Sequence, residues 1–336
     1  VSTTDARVEV VHPTSVVREA GNLLRAAWSP PSLHYSDEFL AWQFGFPGGE
    51  GALAATAWDA ASERLIGFAA VTPRRMRVND WSGVVYALSY VAAHPSARGR
   101  GIAAAVYAAL LEAVDAAACP VLTFAQPQSG GERAIRRAYP AAGYRLYPLG
   151  ECQAWGAMVR PSSAGETASC QVGSVAEMSA SLGRVLKAQS ARDILWADPD
   201  DAELVHYARD PRTRRALLCG PHDNSTTAAV ASLAVAAEMN TARGVERTIL
   251  LECLAASDAR AADLRAMVQQ AATTISPAGR TALVTIPNAT GLDPTVARAA
   301  GLRRLPSSFV SYWCVGPLAQ ARLGLEVPTG TNAEII

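Results

Sequence analysis

With 336 residues, 50% of them hydrophobic and 18% charged, the chain is long enough to bury two cores of ordinary size. Its 30 basic residues balance 30 acidic ones, which excludes a general nucleic-acid binder with a basic face. No uncharged apolar stretch is long enough to span a bilayer and the N-terminus lacks a signal-peptide pattern, so no membrane partner and a cytoplasmic location are expected.

From the N-terminus, Arg7–Val11 alternates as a strand. Thr14–Trp28 then places Val17, Ala20, Leu23, Leu24 and Ala27 at helical spacing behind a Thr14 or Ser15 cap. Pro30-Pro31 ends that helix. Ser36-Asp37-Glu38 opens a second, closed by Pro47-Gly48-Gly49. Ala52–Ala57 and Leu65–Val71 are short apolar strands, joined by a turn at Asp59–Glu63.

The stretch that follows carries the chemistry. An apolar strand, Val84–Val91, is stopped by His94-Pro95. Arg98-Gly99-Arg100-Gly101-Ile102-Ala103 comes next, and an Ala-rich helix starts at once. A helix N-terminus has N–H groups without partners and the positive end of a dipole, so this turn is an anion site. Gly99 and Gly101 let a phosphate approach the backbone without an intervening Cβ, and Arg98 and Arg100 add charge. Neither a P-loop nor a dinucleotide fingerprint is present. Val121–Ala125 reads as a buried strand. Glu132–Ala142 is a helix stopped by Gly143, and Tyr144–Tyr147 and Gln153–Val159 are closing strands.

Arg98, Gly101 and Ala103 in this setting resemble the acyl-CoA pyrophosphate loop of the GNAT superfamily of N-acetyltransferases, and Ala134–Tyr144 resembles its second landmark, with a tyrosine four residues before a glycine. The resemblance implies an acyl-CoA, expected to be acetyl-CoA, held by Arg98, Gly99, Arg100, Gly101, Ile102 and Ala103 and by main-chain groups of Val91 and Ala93. It also implies that Tyr139 protonates the departing thiolate; packing is the alternative for that residue. A family asparagine at the start of the second helix is replaced by Glu132. One main-chain donor to the acyl carbonyl is worth roughly 3 kcal/mol by analogy with oxyanion sites.

The second half repeats the first. Ala141–Pro148 aligns with Ala299–Pro306 (301 − 143 = 158), and the same offset carries Trp155 onto Trp313. Ser89–Ala104 aligns with Leu251–Ala266 (260 − 98 = 162), which puts Arg260 under Arg98 and Thr285 under Thr123. Gly99-Arg100-Gly101 becomes Ala261-Ala262-Asp263, with a carboxylate where a diphosphate would sit. The tyrosine position becomes Ala297. Glu252, under Tyr90, is either a base with a raised pKa or a glutamate paired with an arginine or turned to solvent. Glu132, Glu151, His94 and His34 are the other candidate bases.

The fold expected is α/β (α+β), two tandem GNAT-fold domains with mixed, mostly antiparallel sheets flanked by helices. The limits are 1–160, a linker at 161–169, 170–320 and a tail at 321–336. The expected activity is acyl transfer to a small-molecule amine. Antibiotic biosynthesis of the clavulanic acid kind is implied by likeness of the whole chain to tandem members of the superfamily. The alternative is an N-terminal acetyl-CoA kept as a structural or sensing cofactor, with any transfer in the C-terminal domain. The oligomeric state is open between monomer and homodimer. The five histidines show no metal-ligand spacing, so no metal is expected; none of the six cysteines forms a C-x-x-C pair, and most, lying in apolar runs, are expected as buried free thiols.

Overall fold

In the computed structural model, residues 6–48, 51–78, 81–161, 170–190, 195–197, 200–212, 214–220, 230–255, 260–276, 280–287, 292–323 and 333–334 are described. The predicted linker at 161–169, apart from residue 161, and most of the predicted tail at 321–336 lie outside them. In chain order the elements are β1 (Ala6–Val11), α1 (Val17–Ala27), β2 (Ser32–Leu33), α2 (Asp37–Phe44), β3 (Leu53–Asp59), β4 (Leu65–Val78), β5 (Trp81–Ala93), α3 (Ile102–Ala116), β6 (Val121–Ala125), α4 (Gly130–Ala141) and β7 (Arg145–Val159). The second half continues with β8 (Cys170–Gly173), α5 (Val175–Ser190), β9 (Leu195–Ala197), α6 (Asp201–Tyr207), β10 (Arg214–Cys219), β11 (Val230–Thr241) and β12 (Gly244–Ala255). It ends with α7 (Ala261–Ile275), β13 (Ala282–Ile286), α8 (Pro294–Ala299), β14 (Arg303–Val315), α9 (Pro317–Leu323) and β15 (Ala333–Glu334). No helix among the described residues is long and apolar enough to cross a membrane.

Two units result, and their limits do not follow the chain. Unit 1 is residues 1–75, 83–150 and 309–328; unit 2 is 76–82, 151–308 and 329–336. The sheet of unit 1 has the order β1-β3-β4-β5-β6-β14, and that of unit 2 the order β8-β10-β11-β12-β13-β7. The closing strand predicted at Gln153–Val159 does not close the first unit. It pairs antiparallel with β13, Ile286 opposite Trp155 and Ala282 opposite Val159. The strand beside β6 is β14, with Val310 opposite Ala125 and Cys314 opposite Val121. The domain limits drawn from sequence therefore differ from the units by an exchange of last strands. β7 can serve both because it runs unbroken for 15 residues where two strands were expected, passing Pro148 and Gly150.

In unit 1 the period-2 pattern of the strands feeds two cores. Ala55, Ala57, Ile66 and Val71 face α3 and α4, packing on Ile102, Val106, Leu110 and Ile135. Ala54, Phe68 and Ala70 face the opposite layer, against Leu23 and Leu24 of α1 and Leu40 and Phe44 of α2. Small residues set the spacing: a Cβ on Gly67 would lie 2.4 Å from Ile102 Cγ2, so α3 rests directly on the strand. In unit 2, Leu264, Met267, Val268 and Ala272 of α7 fill the equivalent place over Ile249, Leu251 and Val284.

One cysteine expectation is overturned. β8 and β10 are antiparallel with Cys170 directly opposite Cys219, and the two sulfurs are bonded. Strand pairing across 49 residues brings them together, which no sequence spacing announces. Cys152 and Cys314 are buried free thiols as expected, and Cys119 is a half-buried one.

Candidate acyl-CoA site

β5 and β6 run parallel, yet only Tyr86 with Val121 and Ala87 with Leu122 are paired. Beyond them β6 pairs with β14 on its far side, and a wedge opens between β5 and β6. The N–H of Tyr86 points to the β6 side, donating to Pro120 O at 2.9 Å. The N–H of His94 points the other way, to Ile66 O of β4 at 2.8 Å. Residues of equal parity in an unbroken strand face the same edge, so one irregularity lies between them. Tyr90 supplies it, with φ of +61° in the middle of the strand. After that flip the N–H groups of Val91 and Ala93 face the wedge. An aromatic cluster fixes the strained residue: Tyr90 lies near Trp28 (6.4 Å), Tyr35 (5.3 Å) and Phe44 (5.6 Å), ring centre to ring centre.

The turn after β5 is built as its residues predict. His94 is its opening residue: Nδ1 accepts from Ser96 N at 3.2 Å, and desolvation, with Arg64 nearby, holds its pKa below the ordinary range. It is the turn residue ahead of Pro95, with its Nδ1 engaged by Ser96. Gly99 and Gly101 both adopt left-handed φ, +77° and +76°, and Gly101 is the N-cap of the 15-residue α3. The first-turn N–H groups of α3, including those of Ile102 and Ala103, have no main-chain acceptor within the helix. A Cβ on Gly99 would meet nothing within 4 Å, so the cradle is open on that side. Ile102 points inward into the core, so it contributes its N–H and not its side chain. The two arginines differ. Arg100 Nη1 is 3.5 Å from Asp59 Oδ2, while Arg98 is exposed and makes no ion pair among the described residues. Free amides, a helix dipole and one uncommitted guanidinium fit a diphosphate.

Of the proposed catalytic residues, Tyr139 lies in unit 1. Its ring is sealed in the core with Tyr107 and Tyr144 edge-on at 6.2 and 5.6 Å, and burial pushes its phenol well above the ordinary range. Glu252 lies in unit 2, bound to Arg212 at 3.3 Å, and Arg212 also holds Asp210 at 2.8 Å. The paired alternative for this glutamate is the one the structure displays. Glu132 is no free base either. Its carboxylate accepts from Tyr312 Oη at 2.5 Å, Gln128 N at 2.6 Å and Arg136 Nε at 2.9 Å. Those bonds, Tyr312 first, bring its pKa down to about 2. The tyrosine that completes this cluster arrives on the exchanged strand β14, which is why the sequence near Glu132 gives no sign of it.

The sign of the resulting pH dependence follows from linkage. A carboxyl at about 2 when folded and about 4.3 when unfolded stabilises the fold fully above the unfolded value. That contribution is lost as pH falls toward about 2. Acid unfolding of unit 1 followed by near-UV circular dichroism should therefore steepen in this window, and Glu132→Gln should remove the extra steepness.

Unit 2 reproduces the architecture in detail. Ile249 pairs with Val284 as Ala87 pairs with Leu122, both shifted by 162 (249 − 87 and 284 − 122). Its strand β12 also carries an extra residue where it faces β11, between Glu252 and Ala255. The loop is different. α7 begins at Ala261, so the residues equivalent to Gly99–Gly101 are wound into the helix. Asp263, buried, grips Arg260 in a fork, Nε to Oδ2 at 2.8 Å and Nη2 to Oδ1 at 3.1 Å. The internal carboxylate takes the arginine that a phosphate would otherwise take.

Residues 17–144 match the model of the acetyltransferase (GNAT) family. The matched segment, 128 of the 336 residues, lies in the first unit, and it is similar to that family. A search of curated proteins gives no significant match. Among solved structures, the fold is similar to N-myristoyltransferase from Saccharomyces cerevisiae with bound myristoyl-CoA, at 12% identity, 93% of this chain and 78% of that one, TM-score 0.68. It is also similar to GCN5-related N-acetyltransferases from Kribbella flavida (12% identity, 94% and 72% of the two chains, TM-score 0.53) and Anabaena variabilis (15%, 91% and 72%, TM-score 0.55). These likenesses establish the fold: both units are GNAT folds, α/β, each a mixed sheet flanked by helices. The family match of residues 17–144 supports an acyltransferase activity.

Proposed function

We propose that unit 1 holds one acyl-CoA, with its diphosphate on the N-terminus of α3, and that the acyl group passes to a small-molecule amine. The observation that carries this reading is the left-handed Gly101 capping α3, directly after a strand whose bulge at Tyr90 turns two N–H groups into an open wedge. Arg98, Gly99, Arg100, Gly101, Ile102 and Ala103 would hold the diphosphate, and the N–H groups of Val91 and Ala93 would face the pantetheine and the acyl carbonyl. The acyl-CoA supplies an activated thioester; acetyl is the acyl group the family points to. The chain's own part is to bind, to orient and to polarise through fixed main-chain dipoles. Glu132 and Glu252 are committed to arginines, so the acceptor amine is deprotonated by a group other than these or through water. A role in clavulanic-acid-type antibiotic biosynthesis is what the resemblance of the whole chain suggests, and the acceptor is taken no further than a small-molecule amine.

The test is direct. Acyl-CoA binding by calorimetry and turnover against a panel of amines are measured for the wild type and Arg98→Ala. The expected result is about a tenfold loss of affinity, the order of a charge-assisted pair, with parallel loss of kcat/KM. Binding lost without any turnover in the wild type would favour a structural or sensing acyl-CoA. Turnover that survives loss of binding in unit 1 would place the transfer in unit 2.

Stoichiometry provides a second measurement. Because Asp263 occupies the arginine of the second loop, titration should end at one acyl-CoA per chain. Asp263→Gly should leave that number at one, since α7 has already wound through the loop; two equivalents in the wild type would overturn the assignment of binding to unit 1 alone.

A further inference from the structure

Aromatic residues gather on one side of unit 1. Residues 28–46 contain Trp28, Tyr35, Phe39, Trp42, Phe44 and Phe46, a density far above the 7% aromatic content of the whole chain. Phe39, Phe44 and Phe46 are buried, whereas Trp28, Tyr35 and Trp42 stay half-exposed, as does Tyr90. Trp28, Tyr35 and Tyr90 form a triangle of rings. Trp28 is edge-on to Tyr35 at 5.4 Å, and their centres lie 6.4 and 5.3 Å from that of Tyr90. Arg25 fixes the segment that carries Tyr35, with Nη1 donating to Tyr35 O at 2.7 Å and Nη2 to Asn22 Oδ1 at 2.9 Å.

These rings stand beside the wedge. Tyr90 and Ala92 of β5 lie on the face of the sheet that meets α1 and α2, while Val121 and Ala125 of β6 lie on the face that meets α3. Side chains alternate along a strand, so Phe124 shares the α1/α2 face with Tyr90. Phe124 lies two residues past Leu122, where pairing with β5 ends, and it is half-exposed. On this face each strand of the wedge therefore carries an aromatic ring. The fold does not demand them. At the offset of 162 (252 − 90 and 286 − 124), unit 2 has Glu252 for Tyr90 and Ile286 for Phe124, the first in an ion pair with Arg212 and the second buried.

We propose that this aromatic border is the acceptor subsite of unit 1, and that the acceptor is an amine carried on an aromatic ring. The inference rests on the acyl-CoA reading of unit 1 and names its substrate class. With the diphosphate on the α3 side and the pantetheine in the wedge, the acyl end would reach the opposite face, beside Tyr90 and Phe124. Half-exposed rings gain there by packing edge-on or offset against a ring of the acceptor. Their faces also attract the ammonium form of the amine before it loses its proton. Because Arg25 already holds the segment of Tyr35, little ordering is left for binding to supply.

The test compares 2-phenylethylamine with ethanolamine at saturating acetyl-CoA. The ratio of their kcat/KM values is read in the wild type, Phe124→Leu, Trp28→Leu and Trp28→Phe, so that any change in cofactor binding cancels. The wild type should prefer the aromatic amine at least about tenfold, the order of burying one ring. Phe124→Leu and Trp28→Leu should each cut the ratio about fivefold, and Trp28→Phe should keep most of it. If Trp28→Leu fails to fold, Phe124→Leu decides alone. A wild-type ratio near one overturns the substrate class, and a full preference retained in the leucine variants overturns the placement of the subsite. Turnover of neither amine by a protein that binds acetyl-CoA overturns the transfer reading, and this inference with it.

Discussion

Gly101→Val is expected to abolish acyl-CoA binding, by at least about 100-fold, while the rest of unit 1 stays folded. Gly101 has φ of +76° as the N-cap of α3. A β-branched residue is an outlier in that region and costs about 1–2 kcal/mol to hold there. The chain can relieve this only by turning the peptide units that the anion needs, and the new Cβ stands where a diphosphate oxygen would approach. Gly99→Ala is the control. It sits at φ of +77° with nothing within 4 Å of an added Cβ, so its cost is conformational alone and affinity should fall only a few fold. Calorimetry with acyl-CoA, beside thermal melts of both variants, checks the pair. Binding by Gly101→Val within threefold of wild type would place the ligand elsewhere.

Truncation after Ser308 has a comparable effect by a different route. It removes β14 from the edge of β6 and, with it, Tyr312, Trp313, Cys314 and Val315, all buried. At about 1.5–3 kcal/mol per large buried side chain, the loss is on the order of the whole stability of a domain. It also strips Tyr312 from Glu132, and Leu318 N from its 3.2 Å bond to Asp115. The truncated protein should lose near-UV circular dichroism from unit 1, become sensitive to proteolysis within 17–144 and fail to bind acyl-CoA. A peptide of residues 309–328 added in trans should restore part of the binding. A truncated chain that binds acyl-CoA normally would mean the family-matching segment is sufficient on its own.

What could be read from the sequence was what is local. The turn from His94 to Ala103 declares its conformation through residue types that few other backbones need, and the helices α1 to α4 follow from apolar spacing and caps. The duplication was legible because Gly143, Arg145, Pro148 and Trp155 recur at one offset, and its strand register holds to the residue. What was missed depends on partners far along the chain. Exchange of two like strands leaves the pattern of each half unchanged, so β7 and β14 read the same whichever sheet they close. The Cys170–Cys219 bond, the arginine that claims Glu252 and the tyrosine that claims Glu132 are all consequences of pairing that spacing does not encode. The bulge at Tyr90 was invisible for a further reason: tyrosine is a favoured strand residue and gives no warning of a left-handed φ.

The strand borrowed by unit 1 has a consequence for how the protein is made. β6 is synthesised about 185 residues (310 − 125) ahead of its neighbour β14. At about 5–20 residues per second, the gap is on the order of ten seconds or more. During that time the nascent first unit presents the open edge of β6, an invitation to wrong pairing that β7, already synthesised and alike in pattern, is well placed to accept. If release from such mispairing is the slow step of folding, its rate should respond to changes in β7 and β14 more than to changes in either helical layer.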